Sequence, residues 1–177
     1  METIKNKLSN NEKFFFHKLS NYLDTQLYYF GSVQRNDYFP SSSDIDVDIF
    51  TENENATILK LMNFLNVDRN EFKRFVWTLN NSNNKLAHGY KLMYRNLEHN
   101  FSVEFSIYNE KYKQKILYEH NDKTNLPFYA TILLVIIKFL YYTLHIIPGS
   151  WYRNSKNLIL SKLIFKKEDH FVIIDPK

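Results

Sequence analysis

The sequence predicts an α+β domain. Stretches with apolar residues three and four apart alternate with stretches in which they fall on every second residue, the mark of helices interleaved with strands. Two neighbouring stretches, 86–94 and 101–108, read as an antiparallel pair joined across 95–100. The chain has 177 residues, 44% of them hydrophobic, which is enough for one core with at most a small appendage.

Taken in order, Ser9-Asn10-Asn11-Glu12 has the form of a capping box. Phe15, Leu19, Tyr22 and Leu23 follow at helical spacing, so a helix is expected over 10–25, feeding a strand at 27–30. A second strand is expected from Asp44 to Phe50. Ile58, Leu61, Met62 and Leu65 mark an amphipathic helix. A strand is expected over 71–79 and a turn over 80–84. A charged helix is expected over 110–119, with Ile116 and Leu117 inward. Pro127 opens a long apolar helix that should run until Pro148-Gly149. A further helix over 155–164 and a last strand over 171–174 complete the reading.

Composition narrows the function. There is no cysteine, so disulfide scaffolds and thiolate metal sites are excluded, as an intracellular, cytoplasmic protein would have it. The net charge of +4 mildly favours phosphate-rich partners. The apolar run 128–147 is long enough to span a bilayer. Lys138 at its centre would cost about 2.5–3.5 kcal/mol there, so a buried helix of a soluble domain is expected and no membrane partner.

Chemistry concentrates in 27–50, LYYF-GSVQRNDYFPSSS-DIDVDIF. In an extended chain Asp44, Asp46 and Asp48 share one face, and Ile45, Val47 and Ile49 the other. Stacked carboxylates repel, so a row of them stabilises a fold little without a cation in front. A hard divalent cation held by oxygens fits that need, Mg²⁺ above all.

Gly31-Ser32, eleven residues, then Ser43-Asp44-Ile45-Asp46 resembles the signature of the polymerase-beta-like nucleotidyltransferase superfamily. The resemblance implies a mixed central sheet flanked by helices, with a short C-terminal helical region. It implies that Gly31 and Ser32 open a helix holding the β- and γ-phosphates of an NTP, and that Asp44 and Asp46 are catalytic metal ligands. Two registers fit, Asp44 with Asp46 or Asp46 with Asp48. The first is preferred because metal ligands belong at the strand's open start, which leaves Asp48 as an outer acid or an ion-pair partner. Arg35 reads equally as a phosphate contact or a solvated surface charge.

Such families take a third carboxylate from a later strand, flanked by apolar residues. Val103-Glu104-Phe105 has that form, and Glu104 is the lone acid on the polar face of its strand. Alone it reads as a solvent-facing glutamate; with the upstream motifs it reads as the third ligand and catalytic acid. Leu134 to Leu140 resembles the helix after the catalytic domain of poly(A)-polymerase-like members, which implies Lys138 as a triphosphate contact. Read from its neighbours alone, Lys138 is a snorkelling lysine and 149–152 a turn.

The expected organisation is a catalytic domain over 1–122 and a helical subdomain over 123–177 packed on it. The implied activity is two-metal transfer of a nucleoside monophosphate from an NTP to a hydroxyl, with Mg²⁺ or Mn²⁺ and release of pyrophosphate. An RNA or DNA 3′ end is favoured over a protein or small-molecule acceptor by the positive charge. The competing expectation is a catalytically silent module of the same fold that binds nucleic acid or a protein.

Overall fold

The computed structural model describes residues 4–79, 85–163 and 171–174. Helix α1 (Asn10–Leu23) starts at the expected box: the Ser9 hydroxyl accepts from Glu12 N–H, and the Glu12 carboxylate accepts from Ser9 N–H. It ends at Asp24, which takes the left-handed conformation that aspartate tolerates better than most residues. Strand β1 (Leu27–Phe30) follows as expected, then β2 (Ile45–Thr51) and α2 (Glu54–Leu65).

Strand β3 (Lys73–Leu79) begins two residues later than expected, because a 3-10 turn at Arg69–Glu71 absorbs the preceding residues. The turn expected over 80–84 lies outside the described residues. Strands β4 (Lys85–Asn96) and β5 (Phe101–Asn109) form the expected antiparallel pair. Helix α3 (Lys113–Thr124) comes next, with Ile116 buried as expected.

The long apolar helix is shorter than its sequence suggests. Helix α4 (Phe128–Lys138) gives way to a wider π turn at Phe139–Thr143. That turn gathers Tyr141 and Tyr142 against Tyr152, with Tyr141 and Tyr152 stacked at 4.5 Å. Among the described residues no helix is long and apolar enough to cross a membrane. Helix α5 (Gly149–Leu163) starts earlier than expected and takes in 149–152, which is therefore its first turn and not a free turn. Pro148 C=O accepts from Tyr152 N–H, so the pair read as a stop signal also opens the next helix. Strand β6 (Phe171–Ile174) falls where expected and pairs with β3, bringing the C-terminal segment back to the sheet.

The sheet is mixed, in the order β1-β2-β5-β4-β3-β6, with β2 and β5 parallel and the other pairs antiparallel. The alternation of β2 decides what each face meets. Ile45, Val47 and Ile49 join Phe16 and Leu19 of α1, Ile58 and Leu61 of α2, and Val103, Phe105 and Ile107 of β5 in one core. Each such side chain contributes about 1.5–3 kcal/mol by leaving water. A second cluster links Phe75, Trp77 and Tyr108 to Ile116 of α3, and a third joins Ala130, Leu134 and Ile137 of α4 to Tyr152 and Ile159 of α5. The architecture is α+β, with the acids of β2 on the face turned away from α1 and α2.

Candidate active site

Parallel pairing sets Asp46 directly beside Glu104, so the two acids read from distant stretches become neighbours across β2 and β5. On the other side Asp46 pairs with Phe30, the residue before Gly31. Asp44 stands just ahead of β2, at the open start of the strand. Asp44 and Asp46 both sense the charge of Glu104. Asp46 is pushed up to about 7, first by burial, then by the charges of Glu104 and, more weakly, Asp44, with Lys156 opposing. Asp44 is raised too, first by lost solvation, then by Glu104, against the charges of Lys156 and Lys138.

Gly31 makes room for this arrangement. It sits at φ +69°, and a Cβ placed there would lie 1.9 Å from Asp46 Oδ2. Any other residue would have to evict that carboxylate. Gly31-Ser32 opens a helix as the resemblance implied, here a short 3-10 helix over Gly31–Gln34. Ser32 is buried in that turn beside the aspartates.

Asp48, two residues further along β2, is fully buried and engaged elsewhere. His120 Nε2 of α3 lies 2.8 Å from its Oδ2, and the imidazole stacks on Phe30 at 4.1 Å. Burial raises Asp48, and the His120 contact opposes the rise. His120 ties α3 to the acidic strand. Nothing in the spacing of the sequence marked it, because the pairing spans β2 and α3.

The loop between Ser32 and Asp44 is held by a second buried network. Arg35 Nε and Nη2 donate to the two Asp37 carboxylate oxygens at 2.8 and 3.2 Å. Lys138 Nζ donates to Asp37 C=O at 2.7 Å and to Ser43 Oγ at 3.4 Å, and lies 3.0 Å from Asp37 Oδ2. Burial pushes Asp37 up, but the hydrogen bond and charge of Arg35, with Lys138, override it and hold Asp37 below its ordinary value. Lys138 is 2% exposed, so it does not snorkel; burial lowers its proton affinity while Asp37 supports it. Arg35, 8% exposed, is likewise no solvated surface charge.

These parts face a cleft of about 210 Å³ between the sheet and the C-terminal helices. Gly31, Ser32, Asp44 and Asp46 line one wall, and Tyr142, Tyr152 and Lys156 line another. Tyr152 and Lys156 lie one helical turn apart on α5. Lys156 carried no motif signal in the sequence and comes to the site only through the packing of α5.

Among the described residues no three Asp, Glu or His side chains are close enough together to hold a metal ion as they stand. Glu104 Oε1 rests instead on Lys91 Nζ at 2.8 Å. The chemistry of the donors still fits a hard divalent cation: Asp44 and Asp46, both with raised proton affinity, stand at the start of β2, Glu104 lies opposite Asp46 in the strand register, and Gly31 leaves the room that the Asp46 carboxylate occupies.

The family model of the nucleotidyltransferase domain matches residues 12–126, a span that holds Gly31, Ser32, Asp44, Asp46 and Glu104 and ends before Lys138. No curated protein matches the chain. Among solved structures, one of Cid1, described as having RNA terminal uridylyl transferase activity, aligns with a TM-score of 0.39 at 16% identity. The alignment covers 77% of this chain and 42% of that one, so the chain spans less than half the length of that structure.

Proposed function

From the premise that the chain belongs to the nucleotidyltransferase domain family, we propose that it transfers a nucleoside monophosphate from an NTP to a hydroxyl, with pyrophosphate leaving. The observation that carries the reading is that Asp44 and Asp46 share a cleft with Gly31-Ser32 while Asp46 pairs with Glu104 across β2 and β5. Asp44 and Asp46 would hold Mg²⁺ or Mn²⁺, with Glu104 completing the set. When bound, the metal would neutralise phosphate charge and lower the pKa of the acceptor hydroxyl.

The chain's own groups position the substrate. The Gly31-Ser32 turn lets the backbone and a hydroxyl approach the phosphates. The Asp37 network fixes the loop entering β2, and His120 fixes the strand from behind. Such pre-set geometry supplies most of the rate in a reaction that needs little covalent chemistry from the protein. The engagement of Asp48 by His120 favours the Asp44–Asp46 register. The acceptor we propose is an RNA or DNA 3′ end, in keeping with the net charge of +4, and the location we propose is the cytoplasm.

The Glu104–Lys91 pair favours one competing reading, a silent module that binds nucleic acid or a protein without transfer. Incubation with labelled NTPs, Mg²⁺ and total RNA separates them. Incorporation by the wild type that disappears in Asp44→Ala/Asp46→Ala supports the transferase. No incorporation into any acceptor, with RNA binding unchanged in the double variant, supports the silent module.

A further inference from the structure

Four cations line the cleft, and they are not equivalent. Arg35 is spent on Asp37 through two hydrogen bonds. Lys138 has three acceptors around an ammonium with three hydrogens, so it meets a new anion only by giving one up. Lys123 lies over the Trp77 ring at 4.5 Å. Lys156 is half-buried on α5, opposite the Gly31-Ser32 turn, and no hydrogen bond or ion pair within 4 Å engages its ammonium among the described residues.

We propose that Lys156 is the cation that grips the triphosphate tail of the nucleotide, while Lys138 is a positioning residue that locks the loop before the acidic strand. The proposal rests on the transferase reading and adds to it which side chain meets the ligand. A triphosphate entering between Ser32 and α5 brings several negative charges next to three carboxylates. A bound divalent cation would neutralise part of that charge, and a lysine on the far wall would answer the rest. Lys156 is already electrostatically coupled to this spot, since its charge acts on both Asp44 and Asp46. It is carried by the helix that also presents Tyr152, so gripping the tail would draw α5 toward the sheet.

The test is equilibrium binding, with no turnover needed. The probes are inorganic tripolyphosphate with Mg²⁺, a non-transferable NTP analogue with Mg²⁺, and an uncharged nucleoside. The proteins are the full chain and its Lys156→Met and Lys156→Arg variants, with folding checked by thermal melts. The expected result is that Lys156→Met weakens tripolyphosphate and the analogue by about ten- to a hundredfold, the scale of one charged hydrogen bond. Lys156→Arg should recover most of that loss, binding of the nucleoside should be unchanged, and the salt dependence of tripolyphosphate binding should flatten in Lys156→Met. Wild-type affinity for both phosphate probes in folded Lys156→Met overturns the assignment and leaves the transferase reading standing. Failure of the wild type to bind either phosphate probe overturns both.

Discussion

Replacing Gly31 with alanine tests the tightest feature of the site. Alanine at φ +69° costs about 1–2 kcal/mol, because its Cβ crowds the next carbonyl in the left-handed region. For a chain of this size that is a fall in Tm of about 2–8 °C. The second effect is local. The new Cβ would lie 1.9 Å from Asp46 Oδ2 and 2.8 Å from its Cγ. Ordinary contact needs roughly 3.5 Å, so the carboxylate must retreat by about 1.5 Å. A displacement near 1 Å in a positioned catalytic group costs about a hundredfold in rate. The expected variant is therefore folded, modestly less stable, and close to inactive. Circular dichroism melts give the first two; NTP incorporation and the Mg²⁺-induced rise in Tm, measured well below the melt, give the third. Gly149→Ala is the control: its Cβ would meet only the tip of Tyr141 at 3.3 Å, and its stability should change by less than about 0.5 kcal/mol. Gly31→Ala with wild-type incorporation and an unchanged Mg²⁺ response would refute the claim that Gly31 exists to seat Asp46.

Other outcomes follow from the buried charges. Lys138→Met should cost about 3–5 kcal/mol in urea unfolding, because Asp37 would keep its charge with one partner gone. The lowered proton affinity of Asp37 gives stability that is present above its unfolded value near 4. That stability is lost as pH falls through the folded value, so acid unfolding should begin at higher pH in Lys138→Met. Asp46 has the opposite sign. Its folded value near 7 means the native state holds a proton that the unfolded chain gives up near 4. Metal-free stability should therefore fall as pH rises from 4 to about 7 and level off above, and Mg²⁺ should raise Tm most at pH 8; a flat metal-free profile across that window would contradict this. His120→Ala should lower stability by about 3–5 kcal/mol, by leaving Asp48 buried without its partner, while His120→Gln should recover part of the loss.

Local rules carried the sequence reading a long way. The Ser9–Glu12 box, the alternation of β2 and β5, and the Gly31-Ser32 and Asp44–Asp46 spacing each depend on residues close in the chain, and each reads directly from the letters. The features that escaped depend on partners far apart. The run from Phe128 to Ile147 reads as one helix by periodicity, yet it breaks into a π turn whose Tyr141 and Tyr142 pack on Tyr152, a contact that no local propensity announces. Lys138 looks like a snorkelling residue until Asp37 is packed against it. Glu104 was legible as a lone acid on a polar face, but its register beside Asp46 comes only from the parallel pairing of β2 with β5. Asp48 shares a strand face with Asp46, and what separates their roles is His120, on a helix much later in the chain.

That parallel pairing also sets when the acids of the site can come together. Asp46 and Glu104 are separated by the whole of α2, β3 and β4 and come together only when β5 pairs with β2, and closing so large a loop is among the slower steps available to a small domain. A polypeptide still emerging from the ribosome, with its first two strands already formed, would hold the paired aspartates and nothing to complete them. On the transferase reading, such a chain would stay inert toward nucleotides until β5 has docked beside β2.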